Sequence, residues 1–215
     1  MCAQVLRLIA LACLSLSLAA SVAPADVLPE IVRKPQRGIF LVAAKSLHDP
    51  NFSRSVVLLT EHANQGSIGL IINKTTTVSV VSTLPEFDGL ADPEAKIRFG
   101  GPVQIQSVRL LVNTATEISS AERLFADVYF VNSTTTLKLL LADDDAAAIN
   151  YYAGFSGWSS GQLETEIARG DWHLIKADGG AIFEQDSANI WLKLIERLEG
   201  TWVLIDNTVI ADTRL

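Results

Sequence analysis

Two pairs of neighbouring residues, His48-Asp49 and Glu61-His62, contain the side-chain types that acid–base catalysis and metal binding use. If the two pairs met in the fold, two imidazoles and two carboxylates could form the site of a metal-dependent hydrolase. Residues 56–59 between them are apolar and residue 60 is a β-branched threonine, so residues 56–60 predict a strand. Because a strand rises about 3.3 Å per residue, its two ends are well separated unless the flanking loops fold back.

The structural interpretation of these residues is the one we favour. Asp49 is placed to cap the turn before Pro50, and His62 is placed to bond the backbone of a hairpin loop. No motif supplies a complete catalytic constellation. We therefore assign no catalytic residue and no metal ligand, and we expect no cofactor.

A polar binding surface is the functional alternative to catalysis. Residues 56–59 and 68–72 are so apolar that both segments must be buried, which leaves the polar residues beside them at the rim of the sheet. Adjacent residues of a strand point to opposite faces, so Glu61 and His62 are expected to form a surface rather than a catalytic pair. The candidate binding residues are His48, Asp49, Glu61, His62 and, as a weaker candidate, Asn73.

The elements that would position these residues begin with a hairpin. Residues 56–62 and 66–74 form two apolar runs, and the turn residues 63–66 join them. Further strands are predicted over residues 39–43, 97–99, 108–112, 128–131 and 202–205, and helices over residues 78–84 (capped by Thr77), 135–141, 159–170 and 187–200. Residues 146–153 fit either a helix or a strand. Since strands and helices are mixed without strict βαβ alternation, the pattern predicts an α+β fold.

Three motifs receive structural interpretations. Gly100-Gly101-Pro102 lacks the spacing of a phosphate-binding loop and predicts a tight turn with a positive φ. Residues 154–157 lack the spacing of a nucleophile elbow and predict a glycine-rich connection beneath Trp158. The aromatic residues Tyr151, Tyr152, Phe155, Trp158 and Trp172 could line a groove, but we expect a core cluster.

Composition and charge limit the classes of partner. The chain has 215 residues, 49% of them hydrophobic, and a mean hydropathy of +0.29, which provides ample material for one domain with a sizeable core. The net charge is −7 and the isoelectric point is about 4.9. An acidic chain without a basic patch does not suit phosphate backbones, so we expect no nucleic-acid partner.

The first 25 residues have the pattern of a secretory signal. Arg7 precedes the apolar or small residues 8–20, a segment shorter than the roughly 20 residues that span a membrane, and 23–25 fit a small-x-small cleavage site. Cleavage near Ala25 would remove both cysteines, Cys2 and Cys13, and change the net charge from −7 to −8 because one arginine and no acid leave. We therefore expect a periplasmic or secreted protein without a stable membrane span, the alternative being an anchor formed by the uncleaved signal.

Several short motifs, in order, resemble the YqgE/AlgH family of uncharacterised bacterial proteins. The matching pieces are Asp49-Pro50-Asn51-Phe52, Glu61-His62, Gly69-Leu70, Asn73, Gly100-Gly101-Pro102-Val103, Tyr152-Ala153-Gly154-Phe155-Ser156-Gly157-Trp158 and Gly161-Gln162-Leu163-Glu164. The resemblance covers residues 37–198. The chain departs from the family at Val112, where the family usually has histidine, in its apparent export signal, and in its tail beyond Gly200.

The resemblance implies a single domain with mixed, branched β-sheets wrapped around a buried helix, and it implies no established activity. The expected organisation is a signal peptide over 1–25, a flexible lead-in over 26–37 and the domain over 38–215. We expect a non-catalytic ligand- or protein-binding or regulatory protein, whose partner is an unknown protein or small ligand. A metal-dependent hydrolase using His48, Asp49, Glu61 and His62 is the alternative.

Overall fold

The structure is a computed structural model that describes residues 29–85, 92–141, 148–184 and 186–200. The strands are β1 (Ile39–Ala43), β2 (Val56–Ala63), β3 (Gly66–Ile71), β4 (Thr75–Ser79), β5 (Lys96–Phe99), β6 (Val103–Asn113), β7 (Glu122–Phe125), β8 (Val128–Val131), β9 (Ala148–Ser159) and β10 (Trp172–Lys176). The helices are α1 (Val80–Thr83), α2 (Thr134–Leu141), α3 (Gln162–Arg169), α4 (Gly179–Phe183) and α5 (190–200), the last preceded by a 3₁₀ turn, Ser187–Asn189.

The strands form one branched sheet whose central strand is β9. The order is β10-β1-β2-β3-β9-β6-β8-β7, while β5 also pairs with β9 and carries β4 on its other edge. The β5–β9 pairing is parallel, and the other pairings are antiparallel. This architecture confirms the predicted α+β class, with a mixed, branched sheet in a single domain.

The core lies around the hairpin that the sequence predicted. Every residue of β1 is buried, and so are residues 56–60 of β2 and 69–71 of β3. These strands read as continuous apolar runs because both faces of this part of the sheet are covered. Helix α5 buries its apolar face in the same core, with Ile190, Trp191, Leu194, Ile195 and Leu198, while the charged residues between them remain exposed.

The predicted helix over residues 78–84 is wrong at its start. Thr77 does not cap it, because residues 75–79 form β4 and pair with β5. The helix begins at Val80, the residue whose side chain is buried, and its N-cap position is Ser79. A run of threonines followed by valine favours the extended conformation when a neighbouring strand is available.

The predicted connection over residues 154–157 is also wrong, since these residues lie within β9. Gly154 has a φ of +68°, and a Cβ there would lie 2.4 Å from the carbonyl oxygen of Gly101. Glycine is required by this close approach of two backbones rather than by the end of a strand. Gly101 has the predicted positive φ, at +150°.

Helix α3 follows β9 through a short turn. Ser159 and Gln162 have the spacing of a capping box, but only one of its two hydrogen bonds forms: the side chain of Gln162 accepts from the backbone N–H of Ser159 at 3.0 Å, while the N-cap position is Gly161. Gly170 ends the helix in the left-handed conformation, as predicted. The ambiguous segment 146–153 is a strand from Ala148 onward.

Three observations concern the periphery of the domain. Ile31 forms an isolated bridge with Ile175 of β10. Within the described ranges, no helix combines the length and apolar character needed to cross a membrane. The predicted signal over 1–25 and the predicted strand over 202–205 lie outside the described residues, so the domain boundaries remain predictions.

Candidate functional site

The five candidate residues are divided between the two ends of β2. His48 and Asp49 precede the strand, and Asn73 lies beside its first residue. Glu61 and His62 lie at its other end, next to the hairpin turn. Because a strand rises about 3.3 Å per residue, the two groups lie roughly 20 Å apart. The structure therefore does not unite them into one site.

At the turn end, a bulge directs Glu61 outward. The register between β2 and β3 shifts between Leu59 and Glu61, and Thr60 is left buried with its hydroxyl donating to the carbonyl of Ile68 at 3.2 Å. The extra residue of a bulge bends the strand and re-aims the side chains that follow it. Glu61 consequently pairs with Ile68 and is exposed.

A cleft of about 370 Å³ lies on this outer face of the sheet, and we call it the turn cleft. It is lined by Glu61, Gln65, Gly66, Ser67, Ile68, Val103, Phe155, Gly157, Trp158 and Ser159. The register places Glu61, Ile68 and Gly157 in one row across β2, β3 and β9. Since Gly157 has no side chain, the row has a depression at its third position.

One wall of the turn cleft is aromatic and supports an arginine. The guanidinium of Arg109 lies 4.1 Å from the ring centroid of Phe155, and it donates hydrogen bonds to Ser107 Oγ at 2.6 Å and Gln104 Oε1 at 3.5 Å. Desolvation lowers the pKa of Arg109. The stack holds the Phe155 ring in place at the edge of the cleft.

Strand β6 brings Val103 to the cleft and carries a second exposed apolar side chain two residues further on, at Ile105. Val103, which pairs with Phe155, is 38% exposed, and Ile105 is 51% exposed. The pairing of β6 with β9 is interrupted between Val103 and Val108, and Gln104 within this stretch has a φ of +46°. The outer face thus combines an apolar strip with the carboxylate of Glu61.

His62 lies on the other face, toward α3. Its Nδ1 is 2.8 Å from Ser67 Oγ, and its Nε2 is 3.7 Å from a carboxylate oxygen of Glu164. These are the residue types of a hydrolytic triad. Ser67, however, is only 4% exposed within β3, so its hydroxyl is closed to a substrate, and the contacts of His62 join the hairpin to α3.

The same face carries a tryptophan cluster. Trp158 and Trp172 meet edge to face at 6.0 Å between ring centroids, and Phe52 packs on both rings. Both indole N–H groups donate to the same oxygen of Glu166, each at 2.8 Å. The predicted core role of Trp158 and Trp172 is confirmed, and Phe155, which is half-buried, packs against the same core and lines the turn cleft.

At the other end of β2, Asp49 and Asn73 organise the backbone. Asp49 Oδ1 accepts hydrogen bonds from the backbone N–H groups of Asn51 at 2.8 Å and Phe52 at 3.2 Å, which confirms its predicted turn-capping role. Asn73 accepts from the N–H of Val56 at 2.8 Å and donates to the carbonyl of Arg54 at 2.9 Å. Both side chains are therefore committed to holding the loop over residues 49–55.

His48 lines a different cavity, of about 430 Å³, which we call the loop cavity. Its lining consists of Ala44, Lys45, Leu47, His48, Ser53, Arg54, Trp191 and Leu192. His48 and Glu61 thus belong to separate cavities. Across the described ranges, no three or more His, Cys, Asp or Glu side chains group closely enough to hold a metal ion, so His48, Asp49, Glu61 and His62 do not form the hypothetical hydrolase site.

The sequence did not indicate most of the residues that build the two cavities. Phe155 and Gly157 lay in a segment interpreted as a connection. The pattern that could have indicated a site there is an aromatic residue between two glycines. Arg54 has a positive φ of 55°, which no sequence motif predicted. Such residues are brought to the sites by strand pairing over long sequence distances, which local patterns do not reveal.

Comparison with known proteins identifies the family. The AlgH-like family model matches residues 40–203. The chain belongs to the AlgH-like family. Its relatives include the UPF0301 protein of Chlorobaculum tepidum, 30% identical over 80% of this chain and 91% of the relative, and that of Chlamydia felis, 32% identical over 78% and 88%.

Two solved structures resemble this fold. A protein of Corynebacterium diphtheriae, solved by crystallography, has a TM-score of 0.65 and 27% identity over 74% of this chain and 85% of its own. The solution structure of the AlgH protein from Pseudomonas aeruginosa has a TM-score of 0.57 and 28% identity over 71% and 84%. These likenesses confirm the family and the fold of the AlgH-like chain.

Proposed function

We propose that this AlgH-like protein is a non-catalytic binding protein that holds an extended segment of a partner protein in the turn cleft. The observation that carries the proposal is the row Glu61, Ile68 and Gly157 across three strands, with an open depression at Gly157. Rigid strands hold this row in a fixed geometry, which is the property that a recognition surface needs.

The composition of the turn cleft favours a protein segment over a small polar metabolite. Its walls are apolar at Ile68, Val103 and Phe155, and Ile105, two residues after Val103 on β6, is also exposed. Glu61 and Gln65 provide polar groups at the edge. An apolar strip with a polar rim is typical of protein interaction sites.

The carboxylate at the rim indicates the chemistry of the partner. Glu61 has no ion-pair partner among the described residues. The whole chain carries a net charge of −7. A partner segment with a lysine or arginine beside an apolar side chain would match both the rim and the strip.

Site-specific photo-crosslinking tests this proposal. A photoreactive amino acid at position 105, which is exposed beside the turn cleft, should trap a partner polypeptide in cells. The same amino acid at position 139 is the control, because Leu139 is 67% exposed on α2, away from the cleft. Identical crosslinked products from the two positions, or none from position 105, would contradict the proposal.

We also propose that the protein acts outside the cytoplasm, after cleavage near Ala25. The support is the arrangement of Arg7, the apolar residues 8–20 and the small residues around 23–25. In that compartment the partner would be an exported protein.

A further inference from the structure

The loop cavity at the start of β2 has a chemistry opposite to that of the turn cleft. Three of its lining side chains, Lys45, His48 and Arg54, carry or can carry a positive charge, and Ser53 adds a hydroxyl. Trp191 and Leu192 supply an apolar side, with Leu192 47% exposed. A cationic cavity is a distinct feature on a chain whose net charge is −7.

The backbone is arranged to place Arg54 at this cavity. Its φ of +55° is unfavourable for a residue with a side chain, and the conformation is held by the hydrogen bond from Asn73 Nδ2 to the Arg54 carbonyl. Lys74 Nζ also donates to the carbonyl of Asn51 at 2.5 Å. Strain retained by several specific hydrogen bonds is common where a side chain has a binding role.

The positive groups are incompletely neutralised. Arg54 lies 5.8 Å from the ring centroid of Trp191, and within the described part of the chain neither Arg54 nor His48 has a carboxylate partner. Lys45 pairs with Glu199, but both side chains are more than half exposed. Exposed ion pairs of this kind contribute little to stability, so Lys45 can exchange the carboxylate of Glu199 for another anion.

We propose that the loop cavity binds a small phosphate ester with an apolar body. A phosphate group offers several acceptor oxygens and a charge between −1 and −2 near neutral pH, which suits donors from Lys45, His48, Ser53 and Arg54 arranged around one space. Trp191 is fixed by its own hydrogen bond from Nε1 to the carbonyl of Ala43 at 2.7 Å, so the apolar side is rigid.

This proposal gives the residues His48, Asp49 and Asn73 connected roles. His48 contacts the ligand directly, while Asp49 and Asn73 are positioning residues that shape the loop. The site is independent of the turn cleft, because the two cavities share no lining residue. Binding at one can therefore be measured without binding at the other.

Titration of the full chain with phenyl phosphate, followed by calorimetry or by NMR shifts, tests the assignment. Saturable binding is expected, and Arg54→Gly should weaken it about tenfold or more through loss of a charge-assisted contact. Glycine adopts the positive φ of this position without strain, so Arg54→Gly should unfold at no lower temperature than the parent chain. Arg123→Gln is the charge-matched control, because Arg123 lies on β7 and also faces an aromatic ring, that of Tyr129.

Three comparison ligands sharpen the result. Inorganic phosphate should bind more weakly than phenyl phosphate, and benzyl alcohol should not bind measurably. Equal affinity for phenyl phosphate in Arg54→Gly and the parent chain would overturn the proposal, as would equal binding of benzyl alcohol. Co-sedimentation with vesicles that contain phosphatidic acid, without binding of phenyl phosphate, would assign the anion to a lipid surface and overturn the small-molecule proposal.

Discussion

Glu61 and His62 are neighbours in the chain, yet they lie on opposite faces of the sheet and belong to different structures. Glu61 lines the turn cleft in a row with Ile68, whereas His62 is 2.8 Å from Ser67 Oγ on the face covered by α3. The alternation of side chains along a strand separates the two residues, and the bulge at Thr60 determines which face each one takes. The two residues should therefore respond differently to substitution.

His62→Ala should destabilise the fold, and Glu61→Gln should not. Loss of the imidazole leaves the buried hydroxyl of Ser67 without its partner, at a cost of roughly 1–3 kcal/mol in the free energy of unfolding. Glu61 is exposed, so its replacement should change that free energy by less than about 0.5 kcal/mol. Chemical denaturation of both variants measures the difference, and equal stabilities would contradict the assignment of His62 to a structural role.

Glu166→Ala should be among the most damaging single changes in α3. Its carboxylate accepts both indole N–H groups of the tryptophan cluster, and these donors are buried. Removing it should lower the free energy of unfolding by roughly 2–4 kcal/mol. Glu164→Ala on the same helix is the matched control and should cost less than about 1 kcal/mol, since Glu164 is exposed and its contact with His62 is long, at 3.7 Å.

Trp158→Ala and Trp191→Ala should each cost about 3–5 kcal/mol, because both side chains are buried in the main core. Thermal unfolding followed by circular dichroism reports the loss. Leu139→Ala, at an exposed position, serves as the reference for a change without core loss. Melting temperatures near that of the parent chain for both tryptophan variants would refute the core assignment.

The central hairpin and β1 could be predicted because their signals are local, whereas the short strands β4 and β7 were not predicted. The apolar runs of β2 and β3 and the turn between them need no knowledge of the rest of the chain. The same holds for β8, whose bounds Val128–Val131 were predicted. The errors arose where long-range pairing decides the secondary structure. Thr77 lies in β4 because that segment pairs with β5. Gly154 lies within a strand, and glycine is needed there because the backbone of Gly101 approaches it closely.

The candidate site was only half accessible to sequence reasoning. A polar rim around Glu61 follows from the burial of the strands beside it. The walls at Val103 and Phe155 come from strands far away in sequence, and their proximity depends on the β6–β9 register. Similarly, the role of Asn73 in fixing Arg54 depends on a hydrogen bond across nineteen residues.

Export with cleavage near Ala25 is expected from the N-terminal pattern. Mass spectrometry of the protein purified from its own cells should find a mature N-terminus near Asp26. Replacing Leu11 and Leu14 with arginine should interrupt the apolar segment and retain the chain in the cytoplasm. Recovery of the intact Met1 N-terminus in the soluble fraction of the unaltered protein would contradict export.

The central claim, binding of a partner segment in the turn cleft, depends on the open depression at Gly157. A Cβ there would lie 3.5 Å from the Phe155 ring and 3.8 Å from Val103, at ordinary contact distances, and the φ of Gly157 is not positive. Gly157→Val should therefore fold normally while filling the depression.

The most direct measurement is the dissociation constant of the crosslinked partner segment, made as a synthetic peptide, for the parent chain and for Gly157→Val. We predict that Gly157→Val weakens binding at least about tenfold, equivalent to about 1.4 kcal/mol, at an unchanged melting temperature. Leu139→Ser should bind like the parent chain. A Gly157→Val protein that is folded and binds the peptide with the parent affinity would contradict the claim.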